Sequence, residues 1–348
     1  MVLSVTLQPS GSRFDCDSEQ EILKAGLAAG LRMPFSCRSG MCRTCKGRVT
    51  SGQVDHGGAH VKYLSEAERE QGFALLCCAK PLSDVVVEVQ EIDPDRHLKA
   101  QQMPARVLDF KQVADDVRIV TLGLPANEPV QFRAGQFIDV LRPDGLRRSY
   151  SIANPPKAEG VRQLELHLRH MPGGVFTDHV FGPLKQREIW KIEMPLGSFY
   201  LREDSTAPMI LLASGTGFAP IQSLLLYSLE QGMTRPIHLY WGGRRKADLY
   251  AMEQAQAWAQ QQAHIEFIPV LSEATPEDEW QGRTGLVHQA VLQDFKDLSQ
   301  HQVYACGAPI MVESARRDFV ALAHLSEDAF FADSFLSQAD QAKSSPSI

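Results

Sequence analysis

The feature of this sequence that most limits its fold is a group of cysteines near the N-terminus. In "MPFSCRSGMCRTCKG", four residues separate Cys37 from Cys42, and two separate Cys42 from Cys45. Cys77 and Cys78 follow farther along, in "LLCCAKPLSD". The chain does not begin with a basic segment followed by an apolar run, so we expect no signal peptide and a cytoplasmic location. Crowded thiols in a reducing compartment indicate a metal or redox centre rather than disulfides.

The spacing of these cysteines is that of a plant-type 2Fe–2S site, in which one ligand lies far downstream. The predicted ligands are Cys37, Cys42, Cys45 and Cys77. Gly40 allows the chain to turn closely around such a centre. Neighbours in an extended segment point to opposite sides, so only one of Cys77 and Cys78 is expected to face it, the other facing the core or the surface. A four-cysteine zinc site is the alternative, although zinc modules usually pair two Cys-x-x-Cys knuckles and one is present here.

Length and charge limit the class of protein further. The chain has 348 residues, of which 44% are hydrophobic and 22% charged, and its net charge is −7. This length predicts two or three globular domains, and no basic block indicates a nucleic-acid partner. The most apolar stretch, "PMILLASGTGFAPIQSLLLYSL", is interrupted by Gly215, Gly217 and Pro220, so we expect no membrane span.

The chain divides by pattern into five segments. Residues 1–90 carry an alternating first strand, the cysteines and the strand-like "DVVVEV", and Ser18 with Glu21 predicts a capping box on a short helix. Short strand-like runs with turns predict an antiparallel barrel over 104–205. Strands then alternate with helical stretches over 206–336, which predicts a doubly wound parallel sheet. A linker over 91–103 and a tail over 337–348 complete the division.

Two motifs in the barrel segment suggest a flavin. In "RRSYSIAN", Arg148 can pair with a diphosphate, Tyr150 can lie on an isoalloxazine face, and Ser151 can hydrogen bond near its N5. Ser149 lies within the same segment. Downstream, "MPGGVFTDHV" is predicted to begin a helix whose bare amides suit a pyrophosphate. The residues proposed there are Gly173, Gly174 and Thr177. An ordinary strand and an ordinary loop remain the alternatives.

The last domain carries signals for a dinucleotide. "LLASGTGFAP" reads as strand, loop and helix, with Gly215, Thr216 and Gly217 in the loop. Cys306 and Gly307 end a later strand, where Cys306 could pack against a nicotinamide or simply be core. Arg244, followed by Arg245 and Lys246, could hold a 2′-phosphate or be solvated. The list of candidates is therefore Gly215, Thr216, Gly217, Arg244, Cys306 and Gly307.

In combination, these motifs with "YACGAPIM" and "FFADSF" resemble the iron–sulfur flavoprotein reductases of the ferredoxin–NADP reductase superfamily. The resemblance implies an N-terminal β-grasp 2Fe–2S ferredoxin domain, an FAD barrel and an NAD(P) domain. The resemblance also implies that electrons pass from NADH or NADPH through FAD and the cluster to a partner protein. It also implies Cys77 as the fourth ligand and an aromatic flavin cover, for which Phe335 is the candidate and Phe330 and Phe331 compete. Arg43 departs from the family, which more often has glycine or serine there.

The resemblance also narrows the reaction. It implies that Tyr150 and Ser151 position the flavin and that Cys306 and Phe335 act beside it. "RRSYSIAN" and "FFADSF" are most similar to CDP-6-deoxy-Δ3,4-glucoseen reductases, whose acceptor is a sugar dehydrase. The reductase component of a Rieske or di-iron oxygenase is the alternative. A zinc-bearing nucleotide-binding module and a free-standing flavin reductase are the remaining hypotheses.

Overall fold

The computed structural model describes residues 1–92, 98–126 and 129–335, which form two compact units. The first unit is Met1–His97 together with the chain from Ala332 onwards, and the second is Leu98–Phe331. Part of the predicted linker and all of the predicted tail lie outside the described residues.

The first unit is built on a mixed five-stranded sheet in the order β2-β1-β7-β3-β5. The first and last strands in sequence pair in parallel, with Val5 opposite Val85, and the other pairs are antiparallel. Thr44 donates a hydrogen bond to the Ala332 carbonyl (3.1 Å), so a late segment of the chain completes this unit. Its elements are β1 (Val2–Gln8), β2 (Arg13–Asp17), α1 (Ile22–Ala28), β3 (Lys46–Ser51), β4 (Val54–Asp55), α2 (Glu66–Glu70), β5 (Phe73–Leu75), β6 (Lys80–Pro81) and β7 (Val85–Glu88).

The predicted capping box at the start of α1 is wrong. Glu21 is the N-cap residue of α1, and its side chain makes no capping bond. The first amides of the helix are satisfied from elsewhere: Ile22 donates to the Ala79 carbonyl and Leu23 to the Leu76 carbonyl, both at 2.9 Å. Because tertiary hydrogen bonds occupy the amides that a cap would serve, Ser18 is not needed there.

The second unit begins with a six-stranded antiparallel barrel in the order β11-β10-β13-β8-β9-β12. A bridge between Ile152 and Leu166 closes it, and both side chains are fully buried in its core. The predicted antiparallel barrel is therefore confirmed. Its elements are β8 (Gln101–Ala114), β9 (Val117–Gly123), β10 (Phe137–Leu141), β11 (Arg147–Ser151), β12 (Gln163–Arg169), α3 (Val175–Phe181) and β13 (Ile189–Leu196).

The rest of the second unit is an α/β sheet in the order β17-β16-β15-β14-β18-β19. The chain builds outward from β14 through β15 and β16, then returns to place β18 on the other side of β14, all in parallel. Ligands of such sheets bind beyond the carboxyl ends of the strands at this reversal. The elements are β14 (Met209–Ser214), α4 (Phe218–Glu230), β15 (Ile237–Gly243), α5 (Met252–Gln261), β16 (Ile265–Leu271), β17 (Arg283–Thr284), α6 (Val287–Asp294), β18 (Gln302–Gly307), α7 (Pro309–Ala323) and β19 (Phe330–Ser334).

Over these described ranges, no helix combines the length and apolar character required to cross a membrane.

Candidate functional site

The cysteine loop precedes β3 and is bent by left-handed residues. Arg38, Gly40 and Arg43 have φ values of 53°, 74° and 64°. These bends turn backbone amides toward sulfur: Cys42 donates to the Cys37 Sγ at 3.3 Å, and Gly40 donates to the Cys77 Sγ at 3.2 Å. Amide donors of this kind stabilise thiolates, which are the metal-binding form of cysteine.

The four predicted ligands fall into two pairs. Cys37 hydrogen bonds with Cys42, which lowers the pKa of the Cys37 thiol well below its ordinary value. Cys45 lies beside Cys77, and this neighbour, together with Cys78 and burial, raises the pKa of the Cys77 thiol. Among the residues that the structure covers, no three Cys, His, Asp or Glu side chains group as they would around a single ion. Three thiols from the cysteine loop and one from the turn after β5, arranged as two pairs, fit a centre of two irons in which each iron takes two thiolates.

Cys78 also lies beside this loop, so the expectation that it faces the core or surface is wrong. Its Sγ is 3.8 Å from the Cys77 Sγ, and only 2.7 Å from where a Cβ on Gly40 would lie. The reason is local: Cys78 and Ala79 both donate to the Leu75 carbonyl, at 2.9 Å each. The segment is therefore a turn, and neighbouring side chains in a turn do not alternate between faces as they do in a strand.

The predicted flavin segment is β11 with its neighbours. The ring of Tyr150 lies 5.6 Å from that of Phe176, which packs edge-on against Trp190 at 5.0 Å. Ser151 is 4% exposed, and its hydroxyl has no hydrogen-bond partner within the described ranges. A buried hydroxyl without a partner is unusual, and a bound polar group such as a flavin nitrogen would satisfy it. This site therefore fits FAD.

The arginines and Ser149 of the same strand have different partners. Arg147 pairs with Asp139 and Glu193, and Ser149 donates to the Asp139 carboxylate at 2.7 Å. Arg148 donates to the Arg147 carbonyl at 2.8 Å. The Asp139 and Glu193 carboxylates therefore bind Arg147. Arg148 remains the residue predicted to contact a diphosphate.

The glycine amides after β12 are not bare, contrary to the sequence-based expectation. Gly173 donates to the Asp178 carboxylate at 3.1 Å, and Gly174, the N-cap residue of α3, donates to the Met171 carbonyl at 2.8 Å. The Thr177 hydroxyl also donates to the Met171 carbonyl, at 2.9 Å. A pyrophosphate at this turn would have to exchange with the Asp178 carboxylate.

The Gly-Thr-Gly loop and the end of β18 meet where the sheet reverses. A Cβ on Gly217 would lie 2.2 Å from the Cys306 carbonyl oxygen, and one on Gly307 would lie 2.2 Å from the Ser214 Oγ. Gly217 thus lies against the backbone of Cys306 and Gly307 at the end of β18. The Cys306 side chain itself is fully buried. Only glycine permits this close approach, and a loop of this kind would let backbone amides reach a dinucleotide.

Sequence reasoning missed a buried polar network that joins the barrel to the α/β sheet. His167 on β12 contacts the Tyr250 hydroxyl through Nδ1 at 2.8 Å and the Glu165 carboxylate through Nε2 at 3.0 Å. Gln222 on α4 donates to the same carboxylate at 2.9 Å. Alternation in "LELHLRH" could have indicated a polar face here, since the leucines between these residues are buried in the barrel core.

Two carboxylates, those of Asp248 and Asp278, contact the basic run of Arg244, Arg245 and Lys246 that follows β15. Arg245 binds Asp278 through Nε at 2.7 Å, and the Lys246 amide donates to the same carboxylate at 3.0 Å. Arg244 has a side chain that is 64% exposed, and its Nε lies 3.8 Å from the Asp248 carboxylate. Arg244 and Lys246 are exposed members of this run, and Arg244 is the one that the sequence analysis proposes for the nucleotide.

The competing aromatic residues near the C-terminus have partners in the second unit. Phe331 lies 5.0 Å from Tyr304, and Phe330 lies 6.4 Å from Phe319. Phe335 belongs to the part of the chain grouped with the first unit, and its role as flavin cover stays a prediction.

Three features together define the class of protein: the cysteine loop with Cys77, the barrel with its flavin segment, and the parallel sheet with its dinucleotide loop. They are those of an NAD(P)H-dependent iron–sulfur flavoprotein oxidoreductase. The sequence matches the 2Fe-2S iron-sulfur cluster binding domain over residues 5–82, the oxidoreductase FAD-binding domain over 104–200 and the oxidoreductase NAD-binding domain over 211–317. The chain belongs to the iron–sulfur flavoprotein reductases of the ferredoxin–NADP reductase superfamily. It passes electrons from NAD(P)H through FAD and a 2Fe–2S cluster to a partner.

Similarity to individual relatives extends over nearly the whole chain. The CDP-6-deoxy-L-threo-D-glycero-4-hexulose-3-dehydrase reductase of Yersinia pseudotuberculosis is 39% identical over 336 residues, 97% of this chain and 99% of the relative. The phenol hydroxylase P5 protein of Acinetobacter pittii is 37% identical, with 98% and 97% covered. The crystal structure of the Amycolatopsis cytochrome P450 reductase GcoB has a TM-score of 0.73 and 36% identity, with 96% and 98% covered.

Proposed function

We propose that this chain is the reductase of a CDP-6-deoxy-hexulose-3-dehydrase, of the CDP-6-deoxy-Δ3,4-glucoseen reductase type. The observation that carries the proposal is the 39% identity to the Yersinia dehydrase reductase, which covers 99% of that protein. All three domains needed for electron transfer are therefore aligned with it. A cytoplasmic location is part of this proposal, because clustered thiols that bind a metal centre are typical of a reducing compartment.

We assign the site residues as follows. FAD, when bound, accepts a two-electron hydride and releases single electrons that a 2Fe–2S cluster can take. Arg148 would contact the diphosphate, Tyr150 would support the ring, and the buried Ser151 hydroxyl would hydrogen bond near N5. The cluster ligands are Cys37, Cys42, Cys45 and Cys77. The remaining assigned residues are Ser149, Gly173, Gly174 and Thr177 for FAD, Gly215, Thr216, Gly217, Arg244, Cys306 and Gly307 for NAD(P)H, and Phe335 for the flavin cover.

The second candidate function is the reductase component of an aromatic oxygenase. The 37% identity to the phenol hydroxylase P5 protein favours it, because that relative is also covered almost completely. The two functions share every step up to the reduced cluster and differ only in the protein that accepts the electrons.

A competition between acceptors tests the proposal. The purified chain is reduced with NADH without oxygen and mixed with a CDP-6-deoxy-hexulose-3-dehydrase and its sugar, or with a phenol hydroxylase oxygenase component. We expect reoxidation of the cluster to be at least about tenfold faster with the dehydrase, because docking surfaces select partners. Faster transfer to the oxygenase would establish the second function. Cytochrome c serves as a non-physiological acceptor to show that the preparation is active.

Replacing Tyr150 with alanine is expected to weaken FAD binding. An aromatic stacking contact contributes about 0.5–1.5 kcal/mol beyond burial, which corresponds to a dissociation constant roughly 2- to 13-fold higher. The flavin absorption bands should also shift. Titration of the apoprotein with FAD measures both, and Tyr150→Phe, which keeps the ring, is the control. Equal affinity and spectrum in Tyr150→Ala would show that this strand does not hold the flavin.

We expect NADH to be the better donor. Arg245 is bound by Asp278, and the Asp248 carboxylate beside Arg244 would repel a 2′-phosphate. An exposed cation contributes about 0.2–1 kcal/mol, so Arg244→Ala should change kcat/KM for NADPH less than about fivefold. Steady-state rates with both donors measure this. NADPH at least as good as NADH, with that ability lost in Arg244→Ala, would contradict the expectation.

A further inference from the structure

Residue 43 lies between two cluster ligands in a conformation that does not suit its type. Its φ is 64°, in the left-handed region that glycine adopts freely and other residues adopt at a cost in free energy. Glycine would relieve this strain. The presence of arginine in such a position indicates that its side chain makes interactions that offset the cost.

The Arg43 side chain is 7% exposed and clamps the loop to the segment around α2. Its Nη1 donates to the Tyr63 carbonyl and to the Glu68 Oε2, at 3.0 Å each, while Nη2 donates to Glu68 Oε1. The guanidinium therefore forms a fork with both carboxylate oxygens, the geometry in which arginine binds most firmly and with a fixed direction.

Glu68 is itself held in place from two other sides. Ser65 and Glu68 form the reciprocal capping box that begins α2, with the Ser65 amide donating to the Glu68 carboxylate at 3.1 Å. Lys46 Nζ lies 3.6 Å from the same carboxylate. Arg43 and Lys46 lie on either side of Cys45 in sequence, so one carboxylate restrains the chain both before and after a ligand. Burial opposes ionisation, but Arg43 lowers the pKa of Glu68 to about 2, so the carboxylate is charged at neutral pH.

We propose that Arg43 is a positioning residue, whose clamp on Glu68 and Tyr63 fixes the turn from Cys42 to Cys45 so that these two thiolates meet the cluster in a single geometry. Residues that orient metal ligands commonly change metal affinity 10- to 100-fold when they are removed, even though they do not touch the metal. The proposal rests on the ligand set assigned above, and it gives Glu68, which lies outside the cysteine loop, a role in retaining the cluster.

The test compares full-length Arg43→Gly and Glu68→Gln with a matched destabilised control. The control is Val5→Ala, which removes fully buried side-chain volume from β1, a strand outside the cysteine loop. Two properties are measured: the rate of iron release to a chelator, and the g values and line widths of the paramagnetic signal of the reduced cluster. Melting temperatures show how far each variant is destabilised.

We expect Arg43→Gly and Glu68→Gln each to release iron about tenfold faster and to broaden or shift the signal. The double variant should release iron more slowly than the two single effects combined would predict, because both single variants remove the shared Arg43–Glu68 interaction. Val5→Ala should lower the melting temperature and leave the other two readouts unchanged.

Two results would overturn the proposal. In the first, Arg43→Gly and Glu68→Gln release iron and give a paramagnetic signal as the wild type does, or as Val5→Ala does at an equal loss of melting temperature. Arg43 would then contribute only to general stability. A wild-type preparation without iron would instead contradict the assigned ligand set, and the proposal with it. Arg43→Lys keeps the charge but not the fork, and we expect its iron release to lie between those of wild type and Arg43→Gly.

Discussion

Replacing Cys77 with serine is expected to reduce the iron content of the purified chain by more than about tenfold, because an iron would lose a thiolate outright. The Cys77 Sγ accepts a hydrogen bond from the Gly40 amide at 3.2 Å, so this thiol already contacts the cysteine loop. Cys78→Ala is the matched control, and it should keep the cluster and lose only about 1 kcal/mol of stability. Iron content and the paramagnetic signal of the reduced protein measure both variants.

The Cys77 and Cys78 sulfur atoms are only 3.8 Å apart, so comparing the two single variants tests which thiol is the ligand. Loss of the cluster in Cys78→Ala and not in Cys77→Ser would make Cys78 the ligand. Retention in both single variants, with loss in the double variant, would show that either thiol can fill the position.

Replacing Gly217 with alanine is expected to lower kcat/KM for NADH by about 100-fold, the effect of misplacing a reacting group by about an ångström. The added Cβ would lie 2.2 Å from the Cys306 carbonyl oxygen, a backbone atom that cannot move without shifting β18. We also expect a loss of about 3 kcal/mol in the free energy of unfolding, as for severe overpacking. FAD content should be unchanged, because the barrel does not depend on this contact.

Gly232→Ala provides the control at the opposite end of the same helix. Gly232 follows α4 with a φ of 66°, and a Cβ there would meet nothing within 4 Å. Its replacement should therefore cost about 1 kcal/mol of backbone strain and leave nucleotide kinetics unaffected. Stopped-flow reduction of the flavin by NADH distinguishes the two variants. Equal rates of reduction would show that the Gly217 loop does not place the nucleotide.

Local patterns predicted the architecture well where burial dominates. "QVYACG" was predicted as a strand and forms β18, because a continuous apolar run suits a parallel strand buried on both faces. Pro309 then begins α7, where the missing N–H of proline has no helical partner to lose. The dinucleotide loop between β14 and α4 followed from the same kind of reasoning.

Predictions failed where partners distant in sequence replaced local ones. Ser18 was a plausible cap for α1, but the carbonyls of Leu76 and Ala79 take its place. The glycine amides before α3 were expected to be open, but Gly173 donates to Asp178. Local sequence specifies that an amide needs an acceptor and does not specify which acceptor the fold will provide. The clamp of Arg43 was missed for the same reason.

The hydrogen bond from Thr44 to the Ala332 carbonyl has a consequence for how the protein is made. The two residues are 288 positions apart, so at 5–20 residues per second the ribosome needs roughly 15 to 60 s after Thr44 to synthesise its partner. All four proposed ligands are synthesised long before the last segment of the unit to which they belong. During biosynthesis, a nascent chain that has not yet reached Ala332 therefore contains every proposed ligand. It still lacks the segment that completes the first unit.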